Sequence, residues 1–367
     1  MISHMINSSF LLGDGFELLE EGHLVVEKGR IKEVNDGFIT RGTDAKDLLC
    51  IPALINAHTH IGDSFAKEAA LGLPAGEAMG QNGLKWSLYQ KAKKDEILRA
   101  MRDSVQYMLN SGISCFADFR EGGVNGADLL RKATEGIPIK PIVLGRDDGI
   151  ENFDGLGLNP WQLGQIPSQR NKPVAVHAGE SKGEVAEVLS RNPDIIVHFT
   201  LATREDIATA ARKKVSVVLC PRANALLGVG IPPVRELMER GINVALGTDN
   251  VMLNSPSLWR EMEFISKLSY LKKGIGNSPS VNLLANSQSE FPIPPADILR
   301  MATSNAAKAF GLNSGTIKKG KEADLIFLDR NAPNLRENKN LLAAIVHRTE
   351  PENVRKVMVS GEFVVEK

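Results

Sequence analysis

Residues 172–199 read "KPVAVHAGESKGEVAEVLSRNPDIIVHF". Two short apolar, β-branched runs, "KPVAV" and "DIIV", bracket "SKGEVAEVLSRN", in which apolar residues recur at helical spacing. Strand, helix, strand in that order is the unit of a parallel sheet, because parallel neighbours need a crossover connection. Both strands end on a histidine, His177 and His198.

The same unit recurs through the middle of the chain. Apolar runs occur at "LLCIPALINAH", "GISCFADF", "IKPIVLG", "VSVVLC" and "INVALGTD", each expected to lead into a helix such as "KKDEILRAMRDSVQYMLNSG", "TREDIATAARKK" or "PVRELMERG". A weaker strand falls in "NFDGLGLN" at 152–159. Eight such units in roughly 260 residues predict an α/β fold, a closed (β/α)8 TIM-type barrel over residues 51–312. An open doubly wound sheet is the alternative, but no G-x-G-x-x-G follows a strand to support its dinucleotide-binding form. Both chain termini are β-rich: "HLVVEKGRIKEV" near the start, "ADLIFLD" and "VRKVMVSGEFVVEK" near the end. Neither is large enough to bury a core alone. Residues 1–50 and 313–367 are therefore expected to build one small β domain together.

Composition narrows the function classes. With 44 basic and 44 acidic residues the formal net charge is zero, which points away from nucleic acid and from a polybasic membrane contact. Hydrophobic residues at 43% are ordinary for a globular protein and supply a sizeable core. No apolar run approaches the ~20 residues of a membrane helix, and no signal peptide is visible. Cys50, Cys115 and Cys220 are far apart and show no C-x-x-C spacing, so free thiols in a cytoplasmic protein are expected.

Of seven histidines, four end strands: His58 and His60 in "INAHTHIGD", then His177 and His198. Asp249 ends "NVALGTD". All strand C-termini of a parallel barrel open on one face, so these five side chains are predicted to converge there. Alternate strand residues point the same way, so His58 and His60 reach one ion while Thr59 turns away. Imidazole nitrogen and carboxylate oxygen suit one divalent metal ion, Zn²⁺ or Fe²⁺, with a position left for water; His177 and Asp249 are the candidates to complete the ligands. Glu180, in "HAGE", would stand at the mouth of the next loop as a proton carrier, and His198 would hydrogen-bond the water or the substrate. Each motif alone has an ordinary structural reading: a packing histidine, or a Gly-Thr-Asp turn. Their coincidence on one face carries the metal reading. His4, His23 and His347 lie outside the barrel and read as structural. Arg120, Arg146, Arg222 and Asn224 follow strands and would rim the same face, either binding substrate or pairing between loops. Trp86, after the first strand, would stack on a ring or simply pack.

These motifs together resemble the amidohydrolase superfamily, in its cytosine deaminase-like, ATZ/TRZ branch. The matching stretches include "IPALINAHTHIGD", "VHAGE", "VVLCPRANALLGVGIPPV", "VALGTDN", "MATSNAAKAFGL" and "GTIKKGKEADLIFLD", in the family's order along nearly the whole chain. The resemblance implies a mononuclear site bound by His58, His60, His177 and Asp249. It also implies that Glu180 shuttles protons, that His198 positions the reacting groups, and that Asp249 accepts a proton as well as binding the metal. The carboxylated lysine of binuclear relatives has no counterpart in "NFDGLGLN", and Lys140 lies at the wrong end of its strand. The expected activity is hydrolytic deamination of an aminated N-heterocycle of purine, pyrimidine or pterin type. Ring opening of a cyclic amide, as in imidazolonepropionase-like relatives, is the alternative. A triazine chlorohydrolase or a non-catalytic barrel protein stands further off. The partner is then a small heterocyclic substrate, with a homodimer as the candidate assembly. The chain is shorter than many relatives in the loops that shape substrate pockets. The H-x-E and P-C-x-x-C zinc deaminase class does not fit.

Overall fold

The computed structural model describes residues 4–274 and 292–367; residues 275–291, inside the stretch assigned to the barrel, lie outside the described residues. Two sheets organise the chain. The first is parallel and has nine strands that neighbour one another in chain order: Leu54–His60, Ile113–Arg120, Lys140–Gly145, Gly155–Leu158, Val174–Ala178, Ile195–His198, Ser216–Leu219 and Val244–Leu246, with Asp249–Asn250 on the far side of Leu54–His60. Val244–Leu246 pairs with Ser216–Leu219, while Asp249 and Asn250 pair with Thr59 and His60. One short stretch thus joins the last strand to the first, and the sheet curls back on its start as in a TIM-like barrel. The weak strand expected in 152–159 is present at Gly155–Leu158.

Sequence patterning explains these strands. Leu54–His60 and Ile113–Arg120 are buried at every position, as expected for parallel strands covered on both faces. The helix Lys94–Asn110 presents Ile97, Met101, Val105, Met108 and Leu109 to the core at i, i+4 and i+3 spacing. Two expectations need correction. The run "LLCIPALINAH" is not one strand: Thr43–Pro52 belongs to the second sheet, and the parallel sheet begins at Leu54. Nor does every strand lead into an α-helix. After Lys140–Gly145 and Gly155–Leu158 come only the 3-10 turns Ile150–Asn152 and Pro160–Gln165; the first of these connections, 146–154, is too short for a full helix.

The second sheet has seven strands, in the order Glu362–Glu366, Val354–Val359, Leu325–Leu328, Thr43–Pro52, His4–Leu12, Glu17–Glu27 and Arg30–Asp36. Strands from both ends of the chain lie side by side in it, around an apolar cluster containing Ile6, Phe10, Leu24, Leu325, Phe327 and Met358. Lys140, at the start of its barrel strand, fastens the two sheets by donating to Asp324 Oδ2 at 2.7 Å and Glu322 Oε2 at 2.6 Å. The three cysteines are free and buried. No described helix is long and apolar enough to cross a membrane.

Closure of the parallel sheet is held by polar groups. Asn56 donates through Nδ2 to Thr248 Oγ1 at 2.8 Å and accepts from the Thr248 amide at 3.0 Å. The Thr248 amide also lies 3.0 Å from the His58 carbonyl. Gly247 makes this approach possible: a Cβ there would sit 2.6 Å from His58 Cβ and 2.8 Å from its backbone nitrogen. Gly247→Ala should therefore destabilise the fold by about 1–3 kcal/mol, since backbone atoms must move to admit the methyl group. Urea unfolding of the two proteins side by side measures it.

Candidate metal centre and active site

The closing strand delivers Asp249 beside His58 and His60, and the fifth strand brings His177 to the same point. His58 Nε2 lies 3.2 Å from Asp249 Oδ1 and 3.3 Å from His177 Nε2; His60 Nε2 lies 3.3 Å from His177 Nε2 and 3.6 Å from Asp249 Oδ1. A tetrahedron with metal–nitrogen arms of ~2.05 Å has edges of ~3.3 Å, so these separations fit the donors around one zinc-sized ion. Thr59 turns away and donates to the Ala117 carbonyl at 2.9 Å.

Protonation favours the same use. Burial drives His58 down to about 3, against the pull of Asp249, and drives His177 well below its ordinary value. Burial alone would raise Asp249, but the His58 contact and the neighbouring imidazoles hold it below the usual carboxylate range. Neutral imidazoles and an ionised carboxylate are the forms that bind a divalent metal. Ring orientation is set from outside. His177 Nδ1 donates to Asn159 Oδ1 at 3.0 Å, and His60 Nδ1 lies 3.2 Å from Glu121 Oε1, so each Nε2 faces the centre.

His198 Nδ1 bonds Asn224 Oδ1 at 2.9 Å, and its Nε2 stands 3.8 Å from Glu180 Oε2. Burial would lower His198, but Glu180 and Asp249 outweigh it and the imidazole is raised. Burial raises Glu180, and His198 only partly offsets this. The Glu180 loop is shaped by Glu184, whose Oε2 accepts the amides of Gly179, Glu180 and Ser181 at 3.1, 3.1 and 3.0 Å. Gly179 has φ +100, and a side chain there would meet Phe199 and Thr200 backbone at under 3 Å. His198, Phe199 and Asp249 also have left-handed φ values of 77, 56 and 59. Such strain at non-glycine residues persists only where surrounding contacts enforce it.

One cavity opens above this centre, reaching His60, His177, Glu180, His198 and Asp249, with Trp86, Trp161, Arg146 and Leu253 in its walls. The expected rim residues divide. Arg146 is buried in the wall, and its Nε and Nη2 have no hydrogen-bond partner among the described residues. Trp86 also faces the cavity. Arg120 does not line it; its guanidinium donates to Glu121 Oε2 at 3.0 Å and to the Tyr89 hydroxyl at 3.1 Å. Asn224 lies behind His198 rather than in the wall. Glu121, which follows the second strand and was expected at the rim, does line the cavity, whereas Lys85, Asn159 and Glu184 were not among the expected site residues. Asn159 directly follows the fourth strand, which is a positional signal; Lys85 and Glu184 carry no pattern of their own.

Arg222 likewise lies outside the lining, with Nη1 3.4 Å from Glu261 Oε1. Burial raises the Glu261 carboxyl to about 8, with Arg222 opposing. Between its ordinary range and that value the folded chain holds a proton that the unfolded chain has lost. Stability from this group is thus full below the ordinary carboxylate range and falls as pH rises toward 8, with a slope of up to about 1.4 kcal/mol per pH unit. Glu261→Gln should flatten that slope, as denaturant titrations at pH 5, 6.5 and 8 would measure.

Comparison with known proteins places this geometry. The Amidohydrolase family profile matches residues 49–155 and 165–364. A putative aminohydrolase of Methanothermobacter thermautotrophicus is 34% identical, with 93% of this chain and 94% of that protein covered. A 5-methylthioadenosine/S-adenosylhomocysteine deaminase of Moorella thermoacetica is 27% identical, with 88% and 83% covered. Among solved structures, an adenosine deaminase from Xanthomonas campestris with bound zinc superposes with a TM-score of 0.77 at 20% identity, covering 99% of this chain and 92% of that one. With three histidines and an aspartate gathered at the ends of a curled parallel sheet, and a family match over most of its length, the chain belongs to the amidohydrolase family of metal-dependent hydrolases.

Proposed function

We propose that this chain deaminates an aminated N-heterocycle by hydrolysis, with adenine-bearing nucleosides as the first substrates to try. The observation that carries the reading is Glu180, a half-buried carboxyl raised by desolvation, beside His198 over the three-histidine, one-aspartate centre. Similarity to proteins named as adenosine-type deaminases supports the choice of ring.

His58, His60, His177 and Asp249 would hold one zinc or iron ion. Such an ion supplies a Lewis acid that ionises water near neutral pH. The rest falls to the chain's own groups. Asp249 and Glu180 take up the water's protons. Glu180 passes one proton to the ring nitrogen beside the attacked carbon and then, reloaded with the proton held by Asp249, a second to the departing amine. His198 donates a hydrogen bond to the oxygen as charge grows on it. Water adds, ammonia leaves, and a carbonyl replaces the amino group. Arg146, a wall residue with unpaired Nε and Nη2, would supply positive charge for a polar acceptor on the substrate, while Trp86 and Trp161 offer faces for a ring. The seven-stranded sheet contributes no residue to this cavity, and we take it as a separate small domain.

Ammonia release from adenosine-type, pyrimidine and pterin substrates, run beside lactam and hydantoin-like rings, tests the reaction class. Turnover confined to the cyclic amides would replace deamination with ring opening. Glu180→Gln should keep bound metal and lose about 10²–10⁴ in kcat; turnover at the native rate would remove Glu180 from the mechanism. Arg146→Ala should raise KM at least tenfold with a smaller effect on kcat, because it removes binding shared by substrate and transition state. Removing the metal with chelator should abolish ammonia release, and adding Zn²⁺ or Fe²⁺ should restore it.

A further inference from the structure

Beside the metal centre lies a second convergence of ligand-type atoms. His60, Asp63 and Glu121 bring one such atom each within 4.8 Å of one another, all buried. A cation of the chain already sits there. The Lys85 ammonium lies 2.9 Å from Asp63 Oδ2 and also pairs with Glu121 Oε1. Lys85 is only 4% exposed, which is unusual for a lysine unless it is paired.

Its two partners each lead to a metal ligand. Glu121 Oε1, which pairs with Lys85, is also the atom that faces His60 Nδ1 at 3.2 Å. Asp63 Oδ2 accepts from Asn250 Nδ2 at 2.6 Å, and Asn250 is the residue after Asp249. Lys85 is the second residue of the helix Leu84–Lys91 and lines the cavity beside Trp86. One ammonium therefore ties the pocket wall to the outer partners of two ligands.

We propose that Lys85 is a positioning residue for the metal centre: a tethered cation that holds the Glu121 carboxylate against His60 and so fixes the imidazole with Nε2 toward the ion. Without it, Glu121 keeps Arg120 on its other oxygen and is free to turn from His60. Histidine ligands lose affinity when such an outer carboxylate is lost, typically by 10–100-fold. The proposal rests on the metal reading of the four-residue centre, so the native chain serves as the control for that reading.

Zinc affinity of metal-stripped protein, measured by competition with a chromogenic chelator, tests it without any turnover. Native protein should bind one equivalent; failure to bind would overturn the metal reading itself. Lys85→Met should bind zinc about 10–100-fold more weakly. Lys85→Met/Glu121→Gln should bind no more weakly than the worse single variant, because both changes break one chain of contacts. Lys85→Met affinity within twofold of native, or losses that multiply in the double variant, would overturn the proposal. Should Lys85→Met fail to fold by circular dichroism, Glu121→Gln, which keeps the side-chain shape, and Lys85→Arg, which keeps the charge, decide it. A 10–100-fold loss in the first and near-native affinity in the second are expected; native affinity in Glu121→Gln overturns it.

Discussion

The pairing of Asp249–Asn250 with Thr59–His60 is the contact on which the rest depends. It returns the last strand of the parallel sheet to the first. It also sets the Asp249 carboxylate beside two imidazoles, His58 and His60, from the far end of the barrel sequence. Parallel register makes all strand ends face one way, so a single closure gathers side chains from the first, fifth and sixth strands and from the short closing strand Asp249–Asn250. The cost is local: left-handed backbone at His198, Phe199 and Asp249, and a glycine at 247 where no side chain fits.

Around that closure the charges are arranged by depth. Deepest are imidazoles kept neutral by burial and an aspartate kept ionised by their contact. Toward the cavity stand Glu180 and His198, both shifted upward, in reach of a substrate and of solvent. Beside them lies a buried ionic cluster of Lys85, Arg120, Asp63, Asp118 and Glu121, of which Lys85 and Glu121 line the cavity. Burying five charges is expensive unless each is paired. Such an expense is understandable where the cluster borders His60, the proposed metal ligand whose orientation it would set.

Much of this was legible in one dimension. The alternation of β-branched runs with helical segments implied parallel strands, and the strand-end histidines followed from where each run stopped. Thr59 facing away followed from the twofold period of a strand. The rim arginines were not legible, since "FREGG", "LGRDD" and "CPRAN" look alike as loop starts. Arg146 ends up with free N–H groups in the wall, whereas Arg120 and Arg222 are taken by carboxylates, and only packing could sort them. The split of "LLCIPALINAH" at Ala53 was hidden for a related reason: strands of two sheets, both buried, read as one apolar run.

The sequence by itself determined the order of elements, the donor types and the end of the sheet at which they would meet. Those are local properties: periodicity, β-branching and the last residue of each run. The tertiary structure alone decided which charged groups face the cavity and which pair behind it. It also decided that Asn159, Asn224 and Glu121 orient the imidazoles, and that Lys85 stands among carboxylates from two other segments. Those depend on distances between residues far apart in the chain, and no local pattern records them.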